Sequence, residues 1–136
     1  MGAPRTRTVV ASGASMYPCI PSGSALTVRE YAGEPLHPGD VVGFVSGSGM
    51  LAHRVLETRG EPPRQRLQVR GDAQRHAEEL DAESVAYVVL EVAHRGVRYR
   101  MDGPLGRLAA RLAMGGGLPL TATRRVLQAV RKFWPR

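Results

Sequence analysis

Turn-forming residues divide roughly the first hundred residues of this chain into short segments with β character. Glycine and proline together supply 26 of the 136 residues, and they cluster between those segments. The segments are 6–11, 25–30, 40–46, 50–58, 65–70 and 85–100. Gly96 is expected to bend the last one into a hairpin. Short strands at this spacing predict a mainly β fold, with a compact antiparallel domain over residues 1–101.

The pattern becomes helical after this domain, and residues 102–136 are predicted to form a short basic helical tail. Apolar residues recur at helical spacing through 104–114, and Pro104 suits the first position of a helix. Three glycines at 115–117 interrupt the pattern, and a second amphipathic helix is predicted over 121–134.

Charge is distributed unevenly between these two regions. Twelve arginines in residues 1–102 balance twelve acids, whereas residues 103–136 hold six arginines, Lys132 and no acid. The whole net charge of +7 therefore lies in the tail. Such asymmetry indicates that the tail meets an anionic membrane surface, a nucleic acid or an acidic partner.

Membrane and redox signals are few. The N-terminus lacks the apolar run of a secretory signal, and no stretch approaches the ~18 apolar residues that span a bilayer. Cys19 is the only cysteine, so no disulfide can form within the chain. These features predict a cytoplasmic protein, with peripheral membrane contact through residues 121–136 as an expected further property.

Ser15 is the first residue that suggests chemistry, since it lies in a turn of small residues and is followed by the apolar Met16. Met16 can anchor the turn in the core. A serine hydroxyl needs fixed geometry and a nearby base to become a nucleophile. Taken alone, such a serine is more often only a turn residue.

Three downstream blocks strengthen the case: Pro-Gly-Asp-Val-Val at 38–42, His-Arg-Val at 53–55 and Gly-Asp-Ala at 71–73. Together with Ser-Met-x-Pro at 15–18, in this order, they resemble the signal peptidase superfamily of S24/S26-type serine peptidases. The resemblance covers about residues 11–92. It is to the endoplasmic-reticulum and archaeal branch, in which histidine replaces the lysine that most bacterial signal peptidases use.

The resemblance implies that residues 1–101 form a signal-peptidase-like catalytic β domain. It also implies a serine endopeptidase that removes a leader or signal-like peptide through an acyl-enzyme. Ser15 would be the nucleophile and His53 its general base, and the two are expected to form a hydrogen bond. The only lysine is Lys132, which also favours the histidine branch. Met16 and Pro18 are assigned to substrate binding. No cofactor or metal is expected.

The acid that would orient His53 remains open among three candidates. Asp72 is preferred because it directly follows a predicted strand, and a carboxylate in this role must be held rigidly. The family places its catalytic aspartate six residues later, where this chain has Glu78, and Glu79 is adjacent. A turn residue that bonds its own backbone is an equally good interpretation of Asp72.

Other positions depart from the family. Only 14 residues precede Ser15, so the usual membrane anchor before the nucleophile is missing, and an ordinary integral signal peptidase is not expected. Cys19 stands where the family commonly has threonine, and packing is a better interpretation than a nucleophilic role. The backbone N–H of Ser15 would be the main donor to an oxyanion.

Two alternatives stay open. The tail either lies at an anionic interface, with Phe133 and Trp134 inserted, or packs on the β domain. The chain could instead be a non-catalytic regulatory or binding module of the same fold that uses its tail to hold a membrane, a partner or nucleic acid. Nucleic acid is the less expected of these partners. An intact Ser15 and His53 favour the enzyme.

Overall fold

One antiparallel sheet contains all eight strands found in the described residues, which confirms the predicted mainly β, antiparallel architecture. The computed structural model describes residues 5–17, 19–46 and 49–114. The strands are β1 (Thr6–Val10), β2 (Ala25–Glu30), β3 (Val41–Ser46), β4 (Gly49–Arg59), β5 (Arg66–Arg70), β6 (Glu78–Asp81), β7 (Val85–His94) and β8 (Val97–Arg100). Their order in the sheet is β1-β2-β7-β3-β4-β5-β6, with β8 paired to β7.

The sheet carries an apolar cluster on each face. Alternate residues of β3 belong to different clusters, since Val42 and Phe44 pack in one and Val41 packs in the other. Gly43 lies between Val42 and Phe44. This position requires glycine, because the ring of Tyr87 occupies the space that a Cβ atom would fill. The central strands are therefore buried on both faces, and β4 carries its polar residues into this interior.

The hairpin between β7 and β8 has the turn that the sequence predicts. Arg95 and Gly96 both have positive φ, at 48° and 81°. Two successive residues of this kind match the twist of an antiparallel pair. His94 then pairs with Val97.

Strand β6 was not predicted, because its sequence is almost entirely charged. It lies at the edge of the sheet and pairs only with β5 among the described strands. Leu80 packs against an apolar cluster of the core, whereas Glu79 and Asp81 bond the exposed Arg66. This short edge strand is therefore stabilised by the packing of Leu80 and by the ion pairs that Arg66 forms across the strands.

The helix α1 (Pro104–Met114) is confirmed within the predicted range. It packs on the sheet through small residues, because Gly106 is buried against the carbonyls of Arg100 and Met101. The Arg70 Nη2 group donates to the Ala113 carbonyl at 2.8 Å and ties the end of the helix to β5. The second predicted helix, over 121–134, lies outside the described residues.

Among the described residues, no helix is long and apolar enough to cross a bilayer.

Candidate active site

The turn that contains Ser15 is anchored on both sides. Tyr17 N–H donates to the Ala14 carbonyl at 3.1 Å, and Ile20 N–H donates to the Met16 carbonyl at 2.8 Å. The Met16 side chain is only 4% exposed and packs in the core, as expected for an anchor. Little of the Met16 side chain is therefore exposed for the substrate contact that the sequence analysis also assigned to it. Pro18 lies outside the described residues.

The residues after β5 hold this turn in place. Ala73 N–H donates to the Ser15 carbonyl at 2.9 Å, and Asp72 N–H points to the Met16 sulfur at 3.4 Å. A Cβ atom at Gly71 would lie 2.5 Å from the Ser15 carbonyl oxygen. The serine turn therefore lies directly over Gly71, and the close approach requires glycine there.

We expect Gly71→Ala to destabilise the protein by ~1–3 kcal/mol and to lower any activity of Ser15, because the added methyl group pushes the serine turn outward. Thermal melting and active-site labelling would measure the two effects. Gly49→Ala is the matched control, since a Cβ atom at Gly49 meets nothing within 4 Å. Equal melting temperatures and labelling rates for the two variants would contradict this account.

His53 lies next to that point, on β4. Arg54 of β4 pairs with Arg70 of β5, and the two strands run antiparallel. The residue before Arg54 is therefore opposite the residue after Arg70, which makes His53 and Gly71 neighbours across the strands. Since Ser15 lies over Gly71, the fold brings together the two segments that carry the predicted nucleophile and base.

The imidazole of His53 is buried but unbonded. Its residue is 1% exposed, and its ring meets Phe44 edge to face, with centroids 5.5 Å apart. Neither ring nitrogen has a hydrogen-bond partner among the described residues. The expected hydrogen bond with Ser15 is therefore not formed, and that prediction is corrected. The two residues are held by different elements, the serine turn by the segment after β5 and the ring by Phe44.

The nearest acid to this ring is Glu78. Its Oε1 atom lies 3.6 Å from His53 Nδ1, just beyond a normal hydrogen bond. Glu78 pairs with Val69 on β5, so its side chain stands on the same face of the sheet as that core residue. Burial lowers the pKa of His53, while the charges of Glu78 and, less strongly, Asp72 oppose that shift.

Asp72 has a different partner. Its two carboxylate oxygens accept from Arg54 Nε at 2.9 Å and from Arg54 Nη2 at 2.8 Å. Both side chains are almost fully buried, at 1% and 4% exposure, and Arg54 Nη1 also donates to the Gly39 carbonyl. Arg54 follows His53 on β4, so the two side chains point to opposite faces.

The structure gives Asp72 a partner other than the predicted one. Its carboxylate is committed to a bidentate bond with Arg54, whereas Glu78 stands beside the imidazole. Glu79, the third candidate, is exposed and forms an ion pair with Arg66. The sequence signal for Glu78 was the resemblance, because the family's catalytic aspartate falls at this position.

Cys19 belongs to the same buried region as Arg54 and Asp72. Burial, and next the charge of Asp72, raise the pKa of its thiol to about 12. A thiol in this state carries almost no thiolate near neutral pH, and the thiolate is the reactive form. The packing role that the sequence favoured fits this environment better than a nucleophilic one.

A second serine and histidine also meet, with Ser24 Oγ 3.4 Å from His94 Nδ1. Ser24 is fully buried, and its hydroxyl donates to the Pro21 carbonyl. A substrate cannot reach this hydroxyl, so the pair is structural. Ser24→Ala is therefore a matched control for Ser15→Ala.

No group of three or more histidine, cysteine or acidic residues within the described ranges is arranged to hold a metal ion. Comparisons of the chain with protein-family models, with curated proteins and with solved structures found no match.

Proposed function

We propose that this chain is a serine endopeptidase, with Ser15 as nucleophile, His53 as general base and Glu78 as the residue that positions His53. One observation carries the proposal. A buried histidine with two unpartnered ring nitrogens lies beside the strand end under Ser15, with a carboxylate 3.6 Å from Nδ1. A buried polar ring without partners is costly in a purely structural role, and such groups are common at catalytic sites.

The chemistry divides between the two ring nitrogens. In the proposed reaction His53 Nε2 takes the proton of Ser15 as its Oγ attacks the scissile carbonyl, and then gives that proton to the leaving amine. Glu78 stabilises the imidazolium through Nδ1. The Ser15 N–H would donate to the oxyanion, and water would then release the acyl group from Ser15.

His53 and Ser15 must approach each other for this reaction. Catalytic hydrogen bonds are often loose without substrate and tighten when it binds. The turn is held through the backbone carbonyl of Ser15. In the proposed reaction the Ser15 hydroxyl rotates toward the ring. Binding of a substrate strand against the turn would bring Ser15 within hydrogen-bond distance of His53.

The proposed substrate is a peptide or protein with a leader segment. This substrate class comes from the resemblance to the signal peptidase superfamily. The alternative function, a binding module without catalysis, needs neither an accessible Ser15 nor a neutral His53, so a test of these two residues separates the two functions.

The test is covalent labelling of Ser15 by a fluorophosphonate, with its rate followed against pH. We expect labelling to fall as pH drops, with a midpoint below the ordinary histidine pKa of about 6.5, because burial lowers the pKa of His53. The neutral base is thus retained at lower pH than an exposed histidine would allow. Mass spectrometry of the labelled peptide would identify the serine.

Glu78→Gln should move this midpoint to still lower pH, since the carboxylate raises the pKa of His53. Glu79→Gln is the matched control and should leave the midpoint unchanged, because Glu79 bonds Arg66 instead. A chain that is never labelled at Ser15 would exclude the peptidase and favour the binding module. An unmoved midpoint in Glu78→Gln would remove Glu78 from the site while leaving the peptidase intact.

A further inference from the structure

The outer face of α1 combines exposed leucines with arginines. Leu105 is 39% exposed and Leu108 is 52% exposed. They are three residues apart and therefore adjacent on the helix. Arg107 and Arg111 are exposed on the same helix and one turn apart. Apolar and basic stripes thus run side by side along the solvent face.

The rest of α1 fixes this face outward. Its small residues turn toward the domain, where Gly106 is buried and Ala110 lies over Gly39. Arg70 bonds the Ala113 carbonyl at the other end of the helix. The helix is held at both ends, so its leucines cannot rotate into the core of the described domain.

We infer that this face of α1 is a docking surface for an anionic lipid bilayer. Leu105 and Leu108 would enter the boundary between headgroups and acyl chains, while Arg107 and Arg111 would meet lipid phosphates and carboxylates. This surface is independent of the proposed peptidase activity.

Charge complementarity identifies the partner. Every charged residue from 103 to the C-terminus is basic, so the chain that follows α1 carries the same sign as the helix. A basic segment is repelled by Arg107 and Arg111, whereas an anionic bilayer is attracted by both regions. Nucleic acid would satisfy the arginines alone, because leucine side chains gain nothing from a phosphate backbone.

The experiment is sedimentation of the full chain with lipid vesicles. We expect binding to vesicles of phosphatidylcholine mixed with phosphatidylserine, weak binding to pure phosphatidylcholine, and a loss of binding as salt rises. The double variant Leu105→Gln/Leu108→Gln should weaken binding at least about tenfold, since two apolar side chains no longer leave water. The variant Arg107→Gln/Arg111→Gln should weaken binding to the anionic vesicles selectively.

The matched control is Val10→Gln/Val45→Gln, which alters two exposed apolar residues of the strands and should bind vesicles as the wild type does. Melting temperatures report whether each variant is folded. Failure of the wild type to bind anionic vesicles would overturn the inference. So would a leucine variant that binds normally but melts earlier, because the tail then covers the leucines.

Binding to a DNA duplex that needs the arginines but not the leucines would also overturn it, in favour of nucleic acid. Ser15→Ala should bind vesicles normally. A loss of labelling would therefore contradict the proposed peptidase, whereas a loss of lipid binding would contradict only the membrane-docking inference.

Discussion

Ser15→Ala is expected to abolish fluorophosphonate labelling and to lower peptide cleavage at least about a thousandfold, while the protein still folds. The hydroxyl of a nucleophilic serine forms the covalent bond of the acyl-enzyme, and no neighbouring group replaces it. The backbone carbonyl of Ser15 accepts from Ala73 N–H, and alanine keeps this carbonyl, so the substitution preserves the turn. Cleavage of a leader-peptide library would test the loss of activity, and the melting temperature measured in parallel would test whether the protein still folds.

Two other variants complete this test. Ser24→Ala removes the hydroxyl of the buried serine beside His94, and it should cost about 1 kcal/mol of stability without changing labelling. Cys19→Ala should also retain labelling, because the thiol with its pKa of about 12 is not a nucleophile near neutral pH. Activity of Ser15→Ala within tenfold of the wild type would place the nucleophile elsewhere.

Much of the sheet was predictable from turn residues and apolar segments, because these are local signals. The hairpin at Gly96 and the helix at Pro104 were found in this way. Strand β6 was missed because a charged edge strand has no local apolar pattern. It is held by pairing with β5 and by Arg66, a residue twelve positions before Glu78, and such pairing is not visible in a window of sequence.

The candidate site was predictable only in part. The order of four blocks singled out the segments of Ser15 and His53, and the fold places both segments beside Gly71. The acid was harder, because a buried carboxylate bonds whichever cation shares its face. Arg54 and His53 are consecutive and point to opposite faces, so the partner of Asp72 depended on a register that the sequence does not display.

The ion pair of Arg54 and Asp72 leads to the second large effect. Asp72→Asn should destabilise the protein by ~3–5 kcal/mol, because it leaves the guanidinium of Arg54 buried and without a counterion. Asparagine has nearly the same shape as aspartate, so the loss reports charge and hydrogen bonding more than packing. Urea denaturation would measure it.

Asp81→Asn is the matched control for this measurement, since Asp81 bonds the exposed Arg66. Exposed ion pairs contribute about 0–1 kcal/mol, so this variant should unfold nearly as the wild type does. The two aspartates thus separate a buried pair from a surface pair on the same sheet. The comparison also decides the role of Asp72, because a structural partner of Arg54 must lower stability when its charge is removed. If Asp72→Asn were as stable as the wild type but lost its labelling by fluorophosphonate, Asp72 would serve His53 directly, and Glu78 would lose the positioning role.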